Sequence, residues 1–235
     1  MNQNHFLRKI AINLTSIIAF CFISVTAYCE SEEREISEFS EISYFLPGNM
    51  ILKQGSSVSL KLEGNQDDLD KIITKVVDGN LKIYTKNHTT KLGDVKIYVT
   101  FVELGAISIA GSGDVYFTTP LNAEEIEMNV SGSGIIKCPE LRAEEVELNL
   151  AGSGDITVGG SKVEEMEINI AGSGGVDASD LEASEVEVNI AGSGSVKVYV
   201  SGELETNIVG SGDVYYKGNP VIDAETTGSG RTKPL

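Results

Sequence analysis

The tripeptide Gly-Ser-Gly occurs seven times in the second half of the chain, with first glycines at Gly111, Gly132, Gly152, Gly172, Gly192, Gly210 and Gly228. The intervals are 21, 20, 20, 20, 18 and 18 residues. A spacing this regular points to a repeat architecture, in which each unit is one supersecondary element. Aligned on the first glycine, the copies form columns. Two residues before it stand Ile109, Val130, Leu150, Ile170, Ile190 and Ile208, and four before it Ile107, Met128, Leu148, Ile168, Val188 and Thr206. Between them, three before the glycine, stand Ser108, Asn129, Asn149, Asn169, Asn189 and Asn207; five before it stand Ala106, Glu127, Glu147, Glu167, Glu187 and Glu205. This period-two alternation marks a strand with one buried face. A second short strand follows the glycines, with Val115, Ile136, Ile156, Val176, Val196 and Val214 four residues past them. The glycine pair between the two strands reads as a sharp corner.

At about 3.3 Å per residue, 20 residues trace roughly 66 Å, enough for one coil of two or three short strands. One such coil cannot bury its own apolar face and must stack on like neighbours. Stacking at about 4.8 Å brings each column into register. The fold class expected is therefore all-β: a right-handed parallel β-helix, or solenoid, with coils of about 20 residues over residues 105–235. The competing fold is an antiparallel meander with Gly-Ser-Gly at hairpin tips. A meander needs no identical residue in each period, and would leave the Asn and Glu columns without common neighbours. The absence of tryptophan and the 25 glycines also suit a thin β-structure with tight corners.

Residues 38–104 lack the repeat and are expected to form a strand-rich N-terminal cap that shields one end of the stack. Strands are expected over 39–45, 50–54, 57–62 and 81–86, with Asp78-Gly79-Asn80 as a turn. A short helix is expected over 67–73, capped by Asn65 or Asp67. The stretch DVKIYVTFVEL alternates and runs into the first Gly-Ser-Gly. At the other end, Gly218-Asn219-Pro220 and the tail from Arg231 to Pro234 are expected to close the stack.

Residues 1–27 have the pattern of a signal peptide: Arg8 and Lys9, an apolar run from Ile10 to Val25, and Val25 and Ala27 at the small-residue positions of a cleavage site. A retained membrane anchor is the alternative, although the run is short for a spanning helix. Cys29 is a candidate for lipidation, with Tyr28 where a small residue is expected. Residues 28–37 then form an acidic tether. Cys21 leaves with the signal, and Cys138 beside Pro139 reads as a small half-buried residue. The expected location is exported: periplasm, outer membrane or cell surface.

The chain carries a net charge of −17. Without the signal, 16 Lys and Arg would face 35 Asp and Glu, a net charge of −19. A surface this acidic repels phosphate backbones, so nucleic acid is not an expected partner, and the membrane is met only through a signal or lipid anchor. A surface glycan or an envelope protein fits better.

No catalytic constellation is visible. His5 lies in the signal, His88 stands alone in a Thr-rich loop, and the Gly-Ser-Gly serines have no neighbouring base. No Cys/His cluster has zinc spacing. The binding candidates are the outward columns Glu127, Glu147, Glu167, Glu187 and Glu205 with Asn129, Asn149, Asn169 and Asn189. A further acidic column, Glu125, Glu145, Glu165 and Glu185, points the same way. Carboxylates one coil apart repel by roughly 1 kcal/mol in water. Calcium bridging Glu147, Glu167 and Glu187 is one way to relieve this, since hard cations take oxygen ligands. A plain solvated acidic face is the other reading. No other cofactor is expected.

The acidic strand-rich opening, DVKIYVTFVEL, the repeated (A/S)GSG and the closing VYYKGNPVIDAETTGSG together resemble the putative auto-transporter adhesin head (GIN) domain family of bacterial envelope proteins. The likeness spans roughly residues 38–233. It implies a right-handed β-helix and an adhesin-like role, and it carries over no catalytic residue. Nothing after Gly230 could form a translocating barrel, so the autotransporter part of the family name is not expected to apply. The function expected is an exported noncatalytic cell-envelope module, adhesin-like or scaffolding. The alternative is a β-helix polysaccharide lyase or hydrolase, which needs Asp clustered with Arg or Lys in a groove; Arg34, Arg142 and Arg231 are the only arginines past the signal.

Overall fold

The computed structural model describes residues 30–87 and 91–235. The signal peptide, Cys21, the lipidation candidate Cys29, His5 and His88 lie outside the described residues. The N-terminal elements are β1 (Glu30–Arg34), β2 (Glu41–Tyr44), β3 (Gly48–Gln54), β4 (Ser59–Gly64), α1 (Gln66–Leu69), β5 (Ile72–Val77), β6 (Asn80–Thr85) and β7 (Lys96–Phe101). The repeat begins with β8 (Ala106–Gly111), β9 (Gly113–Phe117), β10 (Leu121–Asn122), β11 (Glu125–Gly132), β12 (Ile135–Arg142), β13 (Glu145–Gly152) and β14 (Asp155–Gly160). It ends with β15 (Val163–Gly172), β16 (Gly175–Gly192), β17 (Ser195–Gly210), β18 (Asp213–Gly218), β19 (Val221–Gly228) and β20 (Arg231–Pro234).

The repeat coils stack in parallel, as the column alignment requires. Along the first face, Gly132 pairs with Gly152, Gly152 with Gly172, Gly172 with Gly192, Gly192 with Gly210 and Gly210 with Gly228. The second face follows the corner, where Ile136 pairs with Val115 and Ile156, and Val196 with Val176 and Val214. A short third side is marked by Leu121 opposite Leu141. Ile109, Val130, Leu150, Ile170, Ile190 and Ile208 form one buried row through the interior, and Cys138 sits in another. Cys138 is thus fully rather than half buried. Each large aliphatic side chain in these rows contributes about 1.5–3 kcal/mol by leaving water.

Glycine is required at the corner for two reasons. The first glycine of each copy has positive φ, +140° at Gly172 for example. The coils also touch there by backbone: the amide of Ser173 donates to the carbonyl of Gly152 at 2.8 Å, and the equivalent bond recurs from Ser133 to Ser229. A Cβ on Gly172 would collide with that carbonyl.

The first half departs from the expected cap. Strand β2 lies between β6 and β8, and β3 between β7 and β9, all in parallel. Residues 41–54 are therefore a coil of the solenoid, and the coil formed by β6 and β7 stacks on its far side, out of chain order. Only β1, β4 and β5 run antiparallel and form cap structure proper. The expected helix is shorter, ending at Leu69 with Asn65 as its cap, and Ile72 and Ile73 begin β5 instead. Asp78 and Gly79, both with positive φ, turn β5 into β6. Leu69 is buried and closes this end of the core.

Residues 30–34, expected as part of a solvated tether, are an edge strand on β4. Its polar sequence is compatible with this because backbone bonds do the pairing. Arg34 then fastens it, donating to the carbonyls of Ile72 at 2.8 Å and Leu69 at 3.0 Å. The C-terminal tail also departs from expectation. Rather than closing the stack, β19 and β20 add one more coil, on β17 and β18, and leave its outer edge open.

Candidate functional site: an acid and amide face

The first face presents its outward side chains in straight rows. Asn207 donates to Asn189 at 3.2 Å, Asn189 to Asn169 at 3.1 Å, Asn169 to Asn149 at 3.0 Å, Asn149 to Asn129 at 3.0 Å, and Asn129 to the Ser108 hydroxyl at 3.3 Å. The second amide hydrogen is also used. Asn149, Asn169 and Asn189 donate to Glu147, Glu167 and Glu187 of their own coil at 2.7, 2.8 and 2.9 Å, and Asn207 to Glu205 at 3.4 Å. The ladder works because parallel stacking sets identical carboxamides one coil step apart, about 4.8 Å. Donors in these four rungs are consumed inside the protein. What faces outward is acceptor capacity, from carboxylate oxygens and carboxamide oxygens.

The glutamate columns flank the ladder as expected. Glu127, Glu147, Glu167, Glu187 and Glu205 lie in one register row, and Glu125, Glu145, Glu165 and Glu185 in the next. Like-charge repulsion shows at Glu145: Glu125 first, then burial and Glu165, raise its carboxyl above the usual range. The metal expectation meets a geometric obstacle. Among the described residues no group of three or more His, Cys, Asp or Glu is placed to hold a metal ion, and that includes Glu147, Glu167 and Glu187. A straight row cannot wrap a calcium ion whose oxygen ligands lie at 2.3–2.6 Å, and one oxygen of each of these three carboxylates already accepts from an asparagine.

On the other side of the ladder runs a shallow trough of about 500 Å³. Its floor is Ser131, Ala151, Ala171, Ala191 and Val209, and its wall is the asparagine row. Sequence reasoning missed a second row, on the face after the corner. Tyr116, Lys137, Thr157, Asp177, Lys197, Tyr215 and Lys233 share one register position. There Lys233 lies over the Tyr215 ring at 4.6 Å and bonds Asp213 at 2.9 Å, and Lys197 bonds Asp177 at 2.9 Å. The residues differ from coil to coil, so no column of identical residues advertised them. Their position, five past each first glycine, was the available signal.

Nothing in these rows assembles a nucleophile with a base. No histidine is among the described residues. Burial pushes the Cys138 thiol up to about 12, which leaves it neutral and inert. Arg142 pairs with Glu140 at 2.6 Å, and Arg34 is occupied by Glu32 and by the carbonyls of Ile72 and Leu69. No helix among the described residues is long and apolar enough to cross a membrane.

A family profile described as putative auto-transporter adhesin, head GIN domain, matches residues 38–220. The chain belongs to that family. No curated protein matches it. Among solved structures it resembles a putative lipid binding protein from Parabacteroides distasonis, at 28% identity and TM-score 0.73, over 88% of this chain and 96% of that one. It also resembles putative adhesins from Bacteroides fragilis (22%, TM-score 0.80) and Parabacteroides distasonis (19%, TM-score 0.77), each over 88% of this chain and 97% of the other. At those lower identities the likeness is one of fold. Membership of the head-domain family supports an adhesin-like module.

Proposed function

We propose that the chain is an exported cell-envelope module that holds an extended partner along its acid and amide face. The observation that carries this reading is the ladder from Ser108 to Asn207, in which both amide hydrogens of Asn149, Asn169, Asn189 and Asn207 are used internally beside an outward row of carboxylates. Such a face suits a partner rich in donors: the hydroxyls of a surface glycan, or a basic segment of an envelope protein. The regular coil step suits a ligand that is itself repetitive. The test is binding of the chain to immobilised neutral polysaccharides and to a lysine-rich peptide, compared with a variant carrying Asn169→Leu and Asn189→Leu. Binding to either probe that falls in the variant supports the reading; equal binding by both proteins removes the ladder from it. Incubation with acidic polysaccharides separates the lyase alternative, since new unsaturated or reducing ends would reveal an enzyme.

The small apolar floor of the trough favours a second reading, an acyl chain lying beside the ladder, in keeping with the name of the lipid-binding relative. Co-flotation with phosphatidylcholine vesicles, lost in an Ala171→Glu variant, is the result expected from it.

A further inference from the structure

The two ends of the solenoid are finished differently. At the N-terminal end, α1 covers the core with Leu69 and the antiparallel strands β1 and β5 lie outermost. At the C-terminal end, β19 and β20 pair on one side only. Val221, Ile222 and Leu235 are exposed there, at 73, 41 and 62%. The interior rows turn small and polar at the same place, with Thr206 bonded to Thr232 at 2.8 Å. Strand β19 carries neither the proline nor the lysine that commonly blunts an open edge; on β20, Pro234 withholds one amide near the terminus.

The charges of this last coil are divided by face. Asp223 and Glu225 stand on β19, and Arg231 on β20; among the described residues none of the three has an ion-pair partner. Within one chain they lie on different sides of the Gly228 corner. We infer that the open coil docks a second copy of this chain, end to end, about a two-fold axis through the corner at Ser229. That axis lays β19 of each copy antiparallel on β20 of the other. With Ser229 on the axis, Glu225 faces Lys233 and lies diagonal to Arg231 of the second copy, while Thr226 faces Thr232. Opposite charges on facing strands stabilise such a pairing, and like charges oppose it. An axis through Ala224, in the middle of β19, would instead set Asp223 of each copy against Glu225 of the other, like charge facing like. Head-to-tail stacking would meet the α1 cap and generate an open filament rather than a closed pair. Asp223 and Glu225 continue the glutamate and asparagine rows by one coil, but the pairing uses the open end of the stack and does not depend on what the acid and amide face binds.

Sedimentation velocity of the purified full chain over a range of concentrations and salt tests the inference. The expected result is a dimer that dissociates on dilution and with added salt. Glu225→Arg should weaken it about tenfold or more, as expected for a close charge pair turned repulsive, with an unchanged melting temperature at concentrations where the chain is monomeric, because Glu225 is exposed. Adding Arg231→Glu to Glu225→Arg should recover part of the lost affinity through the diagonal contact, but not all of it, because Lys233 still stands opposite position 225. A chain that stays monomeric at every concentration overturns the inference. So does a dimer indifferent to Glu225→Arg. Filaments, or association lost with Glu33→Arg on β1, would replace it with the head-to-tail arrangement.

Discussion

Alanine at the corner glycines separates two costs that the corner imposes. Gly111 has φ +118°, but a Cβ placed on it meets nothing within 4 Å, because its neighbouring coil turns through Leu46 and Gly48 instead. Gly111→Ala should therefore cost only backbone strain, about 1–3 kcal/mol. Gly174 has ordinary φ, but its Cβ would strike the carbonyl of Gly154 and the side chain of Leu150. Gly174→Ala should cost only overpacking, again about 1–3 kcal/mol. Gly172 combines φ +140° with a collision against the Gly152 carbonyl. Gly172→Ala should cost the sum, about 2–6 kcal/mol, a large part of the roughly 5–15 kcal/mol that holds a typical domain folded. Urea unfolding followed by circular dichroism reads these differences as shifts in midpoint at constant slope. If Gly111→Ala and Gly172→Ala destabilise equally, within about 0.5 kcal/mol, then close stacking of the corners is not what selects glycine there.

Asn169→Ala should lower stability by about 1–2 kcal/mol, since it breaks half-buried bonds to Asn149 and Asn189 worth about 1 kcal/mol each, and thermal melts would show it. Glu145→Gln should raise the melting temperature at pH 7, because it removes the repulsion from Glu125. The sign follows from its raised carboxyl: the folded chain is penalised once Glu145 ionises, so the gain should vanish below the ordinary glutamate value of about 4.3. Asp213→Asn should do the reverse. The hydrogen bond from Lys233 holds that carboxyl below the usual range, so its stabilisation is present at neutral pH and is lost as pH falls through the depressed value. Cys138 should not react with a thiol reagent in the folded chain and should react fully in urea, by colorimetric titration.

Much of the repeat was legible because stacking makes one structural decision many times. The isoleucine, asparagine and glutamate columns each repeat a single environment, and the register they imply is the register found from Glu145 to Gly210. The asparagine ladder follows from that register alone. The N-terminal order was not legible. Alternation in β2 and β3 says which side chains face inward, but not which strand lies alongside, and Ile42 pairs with both Leu81 and Ile107. Strand β1 was hidden for a related reason: backbone pairing leaves no mark in a sequence of glutamates, and Arg34 bonds to carbonyls that any residue supplies. Ile72 and Ile73 were drawn into the helix by the acidic turn before them, whereas their pairing with Thr85 and Tyr84 decides for strand. Spacing along a row fixes how far apart the carboxylates of Glu147, Glu167 and Glu187 stand, not whether they converge, and among the described residues they form no group placed to hold a metal ion.

The interleaved coil of β2 and β3 makes the earliest part of the solenoid its keystone. It is held from above and below by strands that follow it in the chain, so it serves as a template growing in both directions. The link from Phe101 to Ala106 has to climb past it, and the Gly105 amide is tied to the Ser40 carbonyl on the way, at 2.9 Å. Shortening this protein from its C-terminus removes whole rungs and leaves a shorter stack. Cutting from the N-terminus takes out an interior rung and leaves two unmatched pieces, so tolerance to truncation is one-sided.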